Sequence, residues 1–131
     1  MNIGEASNRS AVSAKMIRHY ESLGLLPKVA RSEGGYRQYD DAAVHSLRFI
    51  RRARDLGFGT GEIANLLALW RNRKRASSQV KRIALEHAAD LQRRIEAMQA
   101  MQRTLEHLAL CCAGDSRPEC PILDDLAGGH A

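Results

Sequence analysis

Residues 12–39 read VSAKMIRHYESLGLLPKVARSEGGYRQY, and the pattern of this stretch decides the fold. Ser13 is a good N-cap for a helix that would end near Gly24. An apolar stripe before this helix is interrupted at residues 8–11 by side chains that favour a turn, which indicates a first short helix. The stretch therefore predicts a helix-turn-helix.

The outer face of the second helix is predicted to carry side chains that suit a DNA major groove. These side chains are Lys15, Arg18, His19 and Tyr20. Arginine and lysine donate hydrogen bonds to guanine or phosphate, and an aromatic ring packs on a sugar or a thymine methyl group. We expect all four residues to contact DNA.

Residues 31–39 predict a hairpin wing, because two glycines form a turn between short extended stretches. Side chains alternate along the second strand, so Tyr39 is expected to pack on the head while Arg37 reaches the DNA backbone. Arg31 and Tyr36 are further candidate DNA contacts in this hairpin.

The charge distribution separates the chain into two parts. Residues 1–75 hold 14 Lys and Arg against 7 Asp and Glu, a net charge of +7, whereas residues 76–131 hold 6 against 8, a net charge of −2. A basic N-terminal part suits a polyanion-binding head, although a solvated basic surface is the alternative. Aromatic residues make up only 5%, and helix-forming residues are common, so we expect a mainly helical fold.

Two more helices are predicted after the wing. Asp40 caps a third helix that ends at Gly57, and Thr60 caps a fourth, structural helix that reaches Trp70. The exposed face of the third helix carries Arg48, Arg51, Arg52 and Arg54. Solvated arginines are the simplest interpretation of Arg48, Arg51 and Arg52. The head is therefore predicted at 1–70, followed by a polar connector at 71–77.

A long helix is predicted at 78–110, where no Gly or Pro occurs. Apolar positions recur there at steps of three and four residues over some four heptads, which is typical of a coiled coil. The apolar positions are Val80, Ala84, Ala88, Leu91, Ile95, Met98, Leu105 and Leu108, and the polar Gln102 continues the same spacing. So small a chain has no second long helix to cover this face, so we expect a homodimer.

Residues 111–131 begin with a cysteine-containing loop, CCAGDSRPECPI. Cys112 and Cys120 straddle Gly and Pro and can fold back so that both sulfurs face one ion. Pro121 suits the first position of a short helix, which makes Cys120 its N-cap and favours the thiolate that binds metal. Spacing alone leaves metal binding and an inert pair both open.

Other metal-binding side chains lie near this loop. Cys111 is expected to face away from Cys112, because adjacent helical residues point about 100° apart. His87, His107 and His130 are expected to be ordinary helix-face or tail residues.

Several classes of function are disfavoured. No apolar run approaches the ~20 residues that span a bilayer, and no signal segment opens the chain, so we expect a cytoplasmic protein without membrane contact. Cytosolic cysteines stay reduced, which disfavours a disulfide. No nucleophile, base and orienting residue form a recognisable arrangement, and there is no phosphate-binding loop, so we do not expect an enzyme.

Four ordered motifs resemble the DNA-binding head of the MerR family of transcription regulators: IGE at 3–5, IRHYE at 17–21, GLL at 24–26 and GYRQY at 35–39. One departure is Ala11, where the family usually has Gly. The resemblance implies a winged helix-turn-helix that binds double-stranded promoter DNA, an antiparallel dimer, and a phosphate contact for Arg54. It also implies that metal binding distorts the promoter so that RNA polymerase can use it.

The Cys-x7-Cys loop followed by Pro-Ile resembles the copper-efflux, CueR-like branch of this family. The resemblance implies one Cu(I), or Ag(I) or Au(I), per chain on Cys112 and Cys120, and activation of copper efflux or detoxification genes. Two thiolates suffice for a linear monovalent ion. Ser77 stands where divalent-metal members have another Cys, and Lys81 is placed to offset negative charge. The alternative is a Hg(II) or Zn(II) regulator with Cys111 as an additional ligand.

Overall fold

The computed structural model describes residues 1–27 and 30–128 and is mainly helical, as predicted. Its elements in chain order are α1 (Ile3–Ser10), α2 (Ala14–Ser22), β1 (Ala30–Arg31), β2 (Arg37–Gln38), α3 (Asp41–Asp55), α4 (Thr60–Arg71), α5 (Ser77–Cys111) and α6 (Pro121–Leu126). The chain divides into two compact units, of which the first is Met1–Lys81 and the second begins at Arg82. The first unit holds the predicted helix-turn-helix and wing.

A turn at Ala11 joins α1 to α2. The side chain of Asn2 begins α1 by accepting a hydrogen bond from the Glu5 amide at 2.9 Å. Ser13 begins α2 in the same way, from the Met16 amide at 3.2 Å, as predicted. Ala11 has φ 59° and ψ 27°, the left-handed region in which a residue with a Cβ costs about 1–2 kcal/mol. The turn therefore forms with alanine, at an energetic cost.

The apolar core of the first unit lies among its four helices and the wing. Its largest fully buried side chains are Ile17, Tyr39, Leu47, Ile50, Ile63 and Leu67. Burial of each such side chain stabilises the fold by about 1.5–3 kcal/mol. On α3, five apolar side chains are buried and Phe49 is partly buried; the five are Ala43, Val44, Leu47, Ile50 and Ala53. This core therefore fixes α2 and α3 relative to each other.

The caps of α3 and α4 match the sequence prediction in one case only. Asp40 caps α3 by accepting a hydrogen bond from the Ala43 amide at 2.8 Å, as predicted. The prediction that Thr60 caps α4 is wrong, because the N-cap is Gly59. The Gly59 amide donates to Glu62 Oε1 at 3.0 Å, so a carboxylate at the third helical position satisfies a donor that a capping hydroxyl would leave open.

The end of α4 is fixed to the rest of the head. Arg71, predicted in the connector, is the last residue of α4, and its Nη2 donates to the Leu25 carbonyl at 3.3 Å and to Ser46 Oγ at 3.1 Å. Trp70 stacks on Phe49 with 4.7 Å between ring centroids. These contacts join α4 to α3 and to the segment after α2.

The helix α5 has 35 residues, which corresponds to about 50 Å, and extends one residue beyond each end of the predicted 78–110 helix. In this single chain α5 exposes Leu85, Ile95, Met98, Met101, Leu105 and Leu110. Large apolar side chains exposed in a row are typical of an interface with a partner. No helix in the described ranges is long and apolar enough to cross a membrane.

Candidate DNA-binding head and candidate metal centre

The helix α2 presents a basic face to solvent. Lys15, Arg18 and His19 are exposed, whereas Ile17 is fully buried in the core. This arrangement is the one expected of a recognition helix, whose inner face packs and whose outer face reaches base edges and phosphates.

Tyr20 is not on that outer face. It is 4% exposed and belongs to the core cluster, so the predicted placement beside Lys15 and Arg18 is wrong. Tyr20 follows Ile17 by three residues, and side chains three apart lie on the same face of a helix. Its ring still lines a cavity of about 190 Å³ with Ser13 and Arg54.

The wing is a short antiparallel hairpin in which Ala30 pairs with Gln38 and Arg31 pairs with Arg37. Gly35 has φ 80° in its turn, and its carbonyl accepts a 2.9 Å hydrogen bond from Arg31 Nη1. Tyr36 is 75% exposed at the tip. An exposed aromatic ring beside arginine side chains is suited to a sugar-phosphate backbone.

Arg37 is held by α2 and does not extend freely from the wing. Its Nε lies 3.1 Å from Glu21 Oε2, and the Tyr39 hydroxyl donates to the same carboxylate at 3.0 Å. Burial raises the pKa of Tyr39 to about 12, and the hydrogen bond to Glu21 adds to the rise. This ion pair therefore ties the wing to the end of α2, and the contact of Arg37 with the DNA backbone stays a prediction.

Three arginines surround a cavity of about 190 Å³ between α2 and the wing. Arg18 comes from α2, and Arg31 and Arg37 come from the two strands, with Tyr36 beside them. Arg18, predicted from α2, is thus brought together with the three contacts predicted from the hairpin, whereas Lys15 and His19 do not line this cavity. Such a concentration of positive charge attracts a phosphate backbone.

The arginines of α3 have different roles. Arg54 is exposed and lines the cavity next to the start of α2, together with Arg51. Arg48 is structural, because its Nε and Nη2 donate to the Arg9 carbonyl at 3.1 and 2.9 Å and so cap the end of α1. The expectation of a merely solvated Arg48 is therefore wrong.

The cysteine loop connects the end of α5 to α6. Cys112 directly follows α5, and its amide donates to the Ala109 carbonyl at 3.2 Å. Cys120 is the N-cap of α6, with Pro121 at the first helical position. Both thiols are free and half-buried. Within the described residues no three His, Cys, Asp or Glu side chains form a group that could hold a metal ion.

The middle of the loop is held by its own contacts. Asp115 accepts hydrogen bonds from the Arg117 amide at 2.9 Å and from Arg117 Nε at 2.8 Å. Gly114 has φ 68°, a conformation that glycine adopts without steric cost. The loop thus offers two thiols at its ends and an internal turn between them.

The remaining predicted ligands are distributed along α5. Cys111 is its last residue, exposed, with Sγ 3.8 Å from His107 Nε2. His87 lies on α5 and is buried. His130 lies outside the described residues. Ser77 is the first residue of α5 and Lys81 follows one turn later, both exposed.

Sequence reasoning placed Glu21 in the head but missed its contacts with the wing. The available signal was an acidic residue on a helix whose other exposed side chains are mainly basic. Its partners Arg37 and Tyr39 are 16 and 18 residues away, so no local pattern could identify them. The capping role of Arg48 had no sequence signal, because its acceptor is a backbone carbonyl 39 residues away.

Comparison with known proteins identifies the family. The family described as "MerR HTH family regulatory protein" matches residues 1–69, and the one described as "MerR, DNA binding" matches residues 44–108. The chain is 60% identical over 131 residues to heavy metal-dependent transcription regulator 2 of Rhizobium meliloti (strain 1021), covering 100% of this chain and 89% of that protein. It is 39% identical over 128 residues to the HTH-type transcriptional regulator CueR of Escherichia coli O157:H7, covering 98% and 95% of the two chains.

A solved structure agrees with this comparison. The transcription regulator PbrR691 from Ralstonia metallidurans CH34, in complex with lead(II), is 35% identical and has a TM-score of 0.85, covering 96% of this chain and 98% of that one. These relatives are transcription regulators and not enzymes. The chain belongs to the MerR family of helix-turn-helix regulatory proteins.

Proposed function

We propose that this protein is a metal-responsive transcription regulator that binds promoter DNA as a homodimer and holds one Cu(I) ion per chain on Cys112 and Cys120. The observation that carries the proposal is the pair of half-buried thiols at the two ends of one loop, in a chain whose head belongs to a DNA-binding family. Ag(I) and Au(I) share the soft, two-coordinate chemistry of Cu(I) and are expected at the same place.

The available ligands favour a monovalent ion. Two thiolates complete the linear coordination of Cu(I), whereas Zn(II) usually takes four ligands. Within the described part of the chain no third His, Cys, Asp or Glu joins a pair to make a three-residue group. A relative named CueR supports the same assignment, because that is the branch that the loop resembles.

The dimer is proposed from α5, whose apolar side chains are exposed in the single chain. Antiparallel pairing of two such helices would bring the start of one α5, with Ser77 and Lys81, beside the partner's cysteine loop. Two thiolates and one monovalent cation keep a net charge of −1, which the Lys81 ammonium and the N-terminus of α6 would offset. A serine at position 77 adds no thiolate, so the site stays two-coordinate.

The DNA contacts are proposed for the exposed side chains of the head. We expect α2 to enter the major groove and the wing to lie on the backbone. The contacting residues proposed are Lys15, Arg18, His19, Arg31, Tyr36, Arg37 and Arg54. Because Tyr20 is buried, we propose that only the edge of its ring contacts DNA.

Metal binding would distort the DNA between half-sites so that RNA polymerase engages the promoter of copper efflux or detoxification genes. The protein would act in the cytoplasm, where this DNA is.

A divalent-metal regulator is the second candidate. The observation that favours it is the relative PbrR691, whose structure contains lead(II). Such an ion would need more ligands than Cys112 and Cys120 supply, and Cys111 is the nearest thiol in sequence. A Cys111→Ser variant therefore distinguishes the two candidates.

The experiment is an anaerobic competition titration of the reduced full-length protein with Cu(I) against a chromophoric chelator, run beside Zn(II) and Pb(II). We expect one Cu(I) per chain, abolished tight binding in Cys112→Ser and in Cys120→Ser, and unchanged binding in the matched control Cys111→Ser. Tighter binding of a divalent ion that depends on Cys111, Cys112 and Cys120 together would establish the second candidate and contradict the copper proposal.

A further inference from the structure

Cys111 and His107, two residue types that can bind metal, lie one turn apart near the end of α5. Cys111 Sγ and His107 Nε2 are 3.8 Å apart, and both residues are exposed. Their spacing of four residues places them on the same face of a continuous helix. Neither residue has a role in the proposed copper site.

We propose that Cys111 and His107 form a separate site for one borderline divalent ion, such as Zn(II), Co(II) or Cd(II). Zinc bonds of about 2.3 Å to sulfur and 2.0–2.1 Å to nitrogen place the two ligand atoms about 3.6 Å apart at a tetrahedral angle. The observed 3.8 Å is close to this separation. An ion can therefore bridge the two side chains without a change in the helix backbone.

The position on the helix also favours a cation. Unpaired carbonyls at the C-terminus of a helix carry partial negative charge, and the last turn of α5 contains no basic residue. Metal binding replaces the thiol proton of Cys111, which passes to solvent. Water completes the coordination, since no third protein ligand lies near in the described residues. This site is thus expected to be weaker than the Cu(I) site.

The inference is independent of the proposed function. If Cys111 were instead an additional ligand of the Cys112 and Cys120 site, divalent binding would need those thiols and would not need His107. At a separate site, divalent binding would need His107 and would not need Cys112 or Cys120. The two possibilities can therefore be separated in a protein that lacks Cys112 and Cys120.

The test is a Cd(II) titration of the full-length Cys112→Ser/Cys120→Ser protein, reduced and anaerobic. Heat and the ultraviolet thiolate-to-cadmium charge-transfer absorption are both recorded. We expect one Cd(II) per chain with the absorption of one thiolate. Adding His107→Ala lowers the affinity about tenfold or more, because the second ligand otherwise binds intramolecularly. Adding Cys111→Ser abolishes the absorption.

The matched control adds His45→Ala, which removes another exposed histidine on α3, and we expect no change from it. Circular dichroism verifies that each variant keeps its helices. The proposal is overturned if the double variant binds no Cd(II), if its charge-transfer absorption survives Cys111→Ser, or if His107→Ala has no more effect than His45→Ala.

Discussion

Ala11 is the residue whose backbone conformation least suits its side chain. Its left-handed φ of 59° costs an alanine about 1–2 kcal/mol, whereas glycine loses about 0.4–1 kcal/mol through the entropy of the unfolded chain. Ala11→Gly is therefore expected to raise the free energy of unfolding by about 0.5–1 kcal/mol. The measurement is urea unfolding followed by the fluorescence of Trp70.

The matched control for this substitution is Ala64→Gly, at an exposed position inside α4. A glycine in a helix interior destabilises by about 1 kcal/mol, so the two variants should shift the urea midpoint in opposite directions. A loss of stability in Ala11→Gly would show that the turn does not impose the left-handed conformation.

Tyr39 links stability to alkaline pH. Burial raises its pKa to about 12 from an ordinary value of 10, so the neutral hydroxyl contributes stability that is fully present below pH 10. That contribution, on the order of 2 kcal/mol, is lost as the pH rises from 10 towards 12. The difference in unfolding free energy between wild type and Tyr39→Phe should therefore be constant below pH 10 and should shrink above it. If the difference in unfolding free energy is unchanged up to pH 12, the pKa of Tyr39 is not raised by folding.

Residue roles were predictable from sequence where the partner is local. Ser13 and Asp40 each cap a helix by accepting a hydrogen bond from an amide three residues ahead, and both caps were predicted. The three-residue spacing from Ile17 could have placed Tyr20 on the buried face of α2. The prediction put it on the outer face instead, because an aromatic ring can pack on DNA. The ion pair of Arg37 could not be predicted, because its partner belongs to another element.

At the scale of elements, Glu21 joins the wing to the recognition helix. We expect Glu21→Gln to weaken DNA binding about three- to tenfold, on the order of 1 kcal/mol, because Arg37 and the wing lose their fixed position. Simple electrostatics predicts the reverse, since the substitution removes a negative charge from a basic face. Fluorescence anisotropy measures the affinity for DNA at several salt concentrations, with a DNA duplex that has been selected for binding to this protein.

The control for the wing experiment is Glu33→Gln, which removes the same charge from an exposed position in the wing turn. It should leave the affinity unchanged or raise it slightly. Equal behaviour of the two variants would mean that the contact with Arg37 does not position the wing.

The helix α5 is expected to form the dimer through its apolar seam. Ile95 and Met98 are 48% and 64% exposed in the single chain, so a carboxylate at either position would be buried without a partner on dimerisation. Ile95→Glu should therefore shift the protein towards monomer in sedimentation equilibrium. Ala97→Glu adds the same charge off the seam and should remain dimeric. A dimer that is equally stable in both variants would place the interface elsewhere.

The existence of the long helix was predictable, because an uninterrupted heptad pattern is a strong local signal. The register in which two α5 helices would pair depends on contacts with a second chain. The heptad pattern indicates that a partner exists but does not define this register. The start of α4 was misplaced by one residue, because its N-cap is Gly59, whose amide donates to Glu62 Oε1. Element types were thus more predictable than element ends.

At the scale of the whole molecule, the candidate DNA face and the candidate metal loop lie in different units of the chain. Recognisable local motifs predict which residues belong to each, and these assignments stay predictions. The sequence alone does not predict how metal bound by one unit would act on DNA bound by the other, because the proposed coupling depends on the geometry of a dimer and its DNA. The central claim therefore requires an assay that includes both partners.

The most direct test is transcription in vitro by RNA polymerase from a template that carries the selected DNA site. The apo protein is compared with protein loaded with Cu(I), Zn(II) or Pb(II), beside the Cys112→Ser/Cys120→Ser variant. The account predicts that Cu(I) raises transcription, that the divalent ions do not, and that the variant binds the DNA without responding to Cu(I). Transcription that is unchanged by Cu(I) while the protein occupies its site, or that responds to Pb(II) or Zn(II) instead, would contradict it.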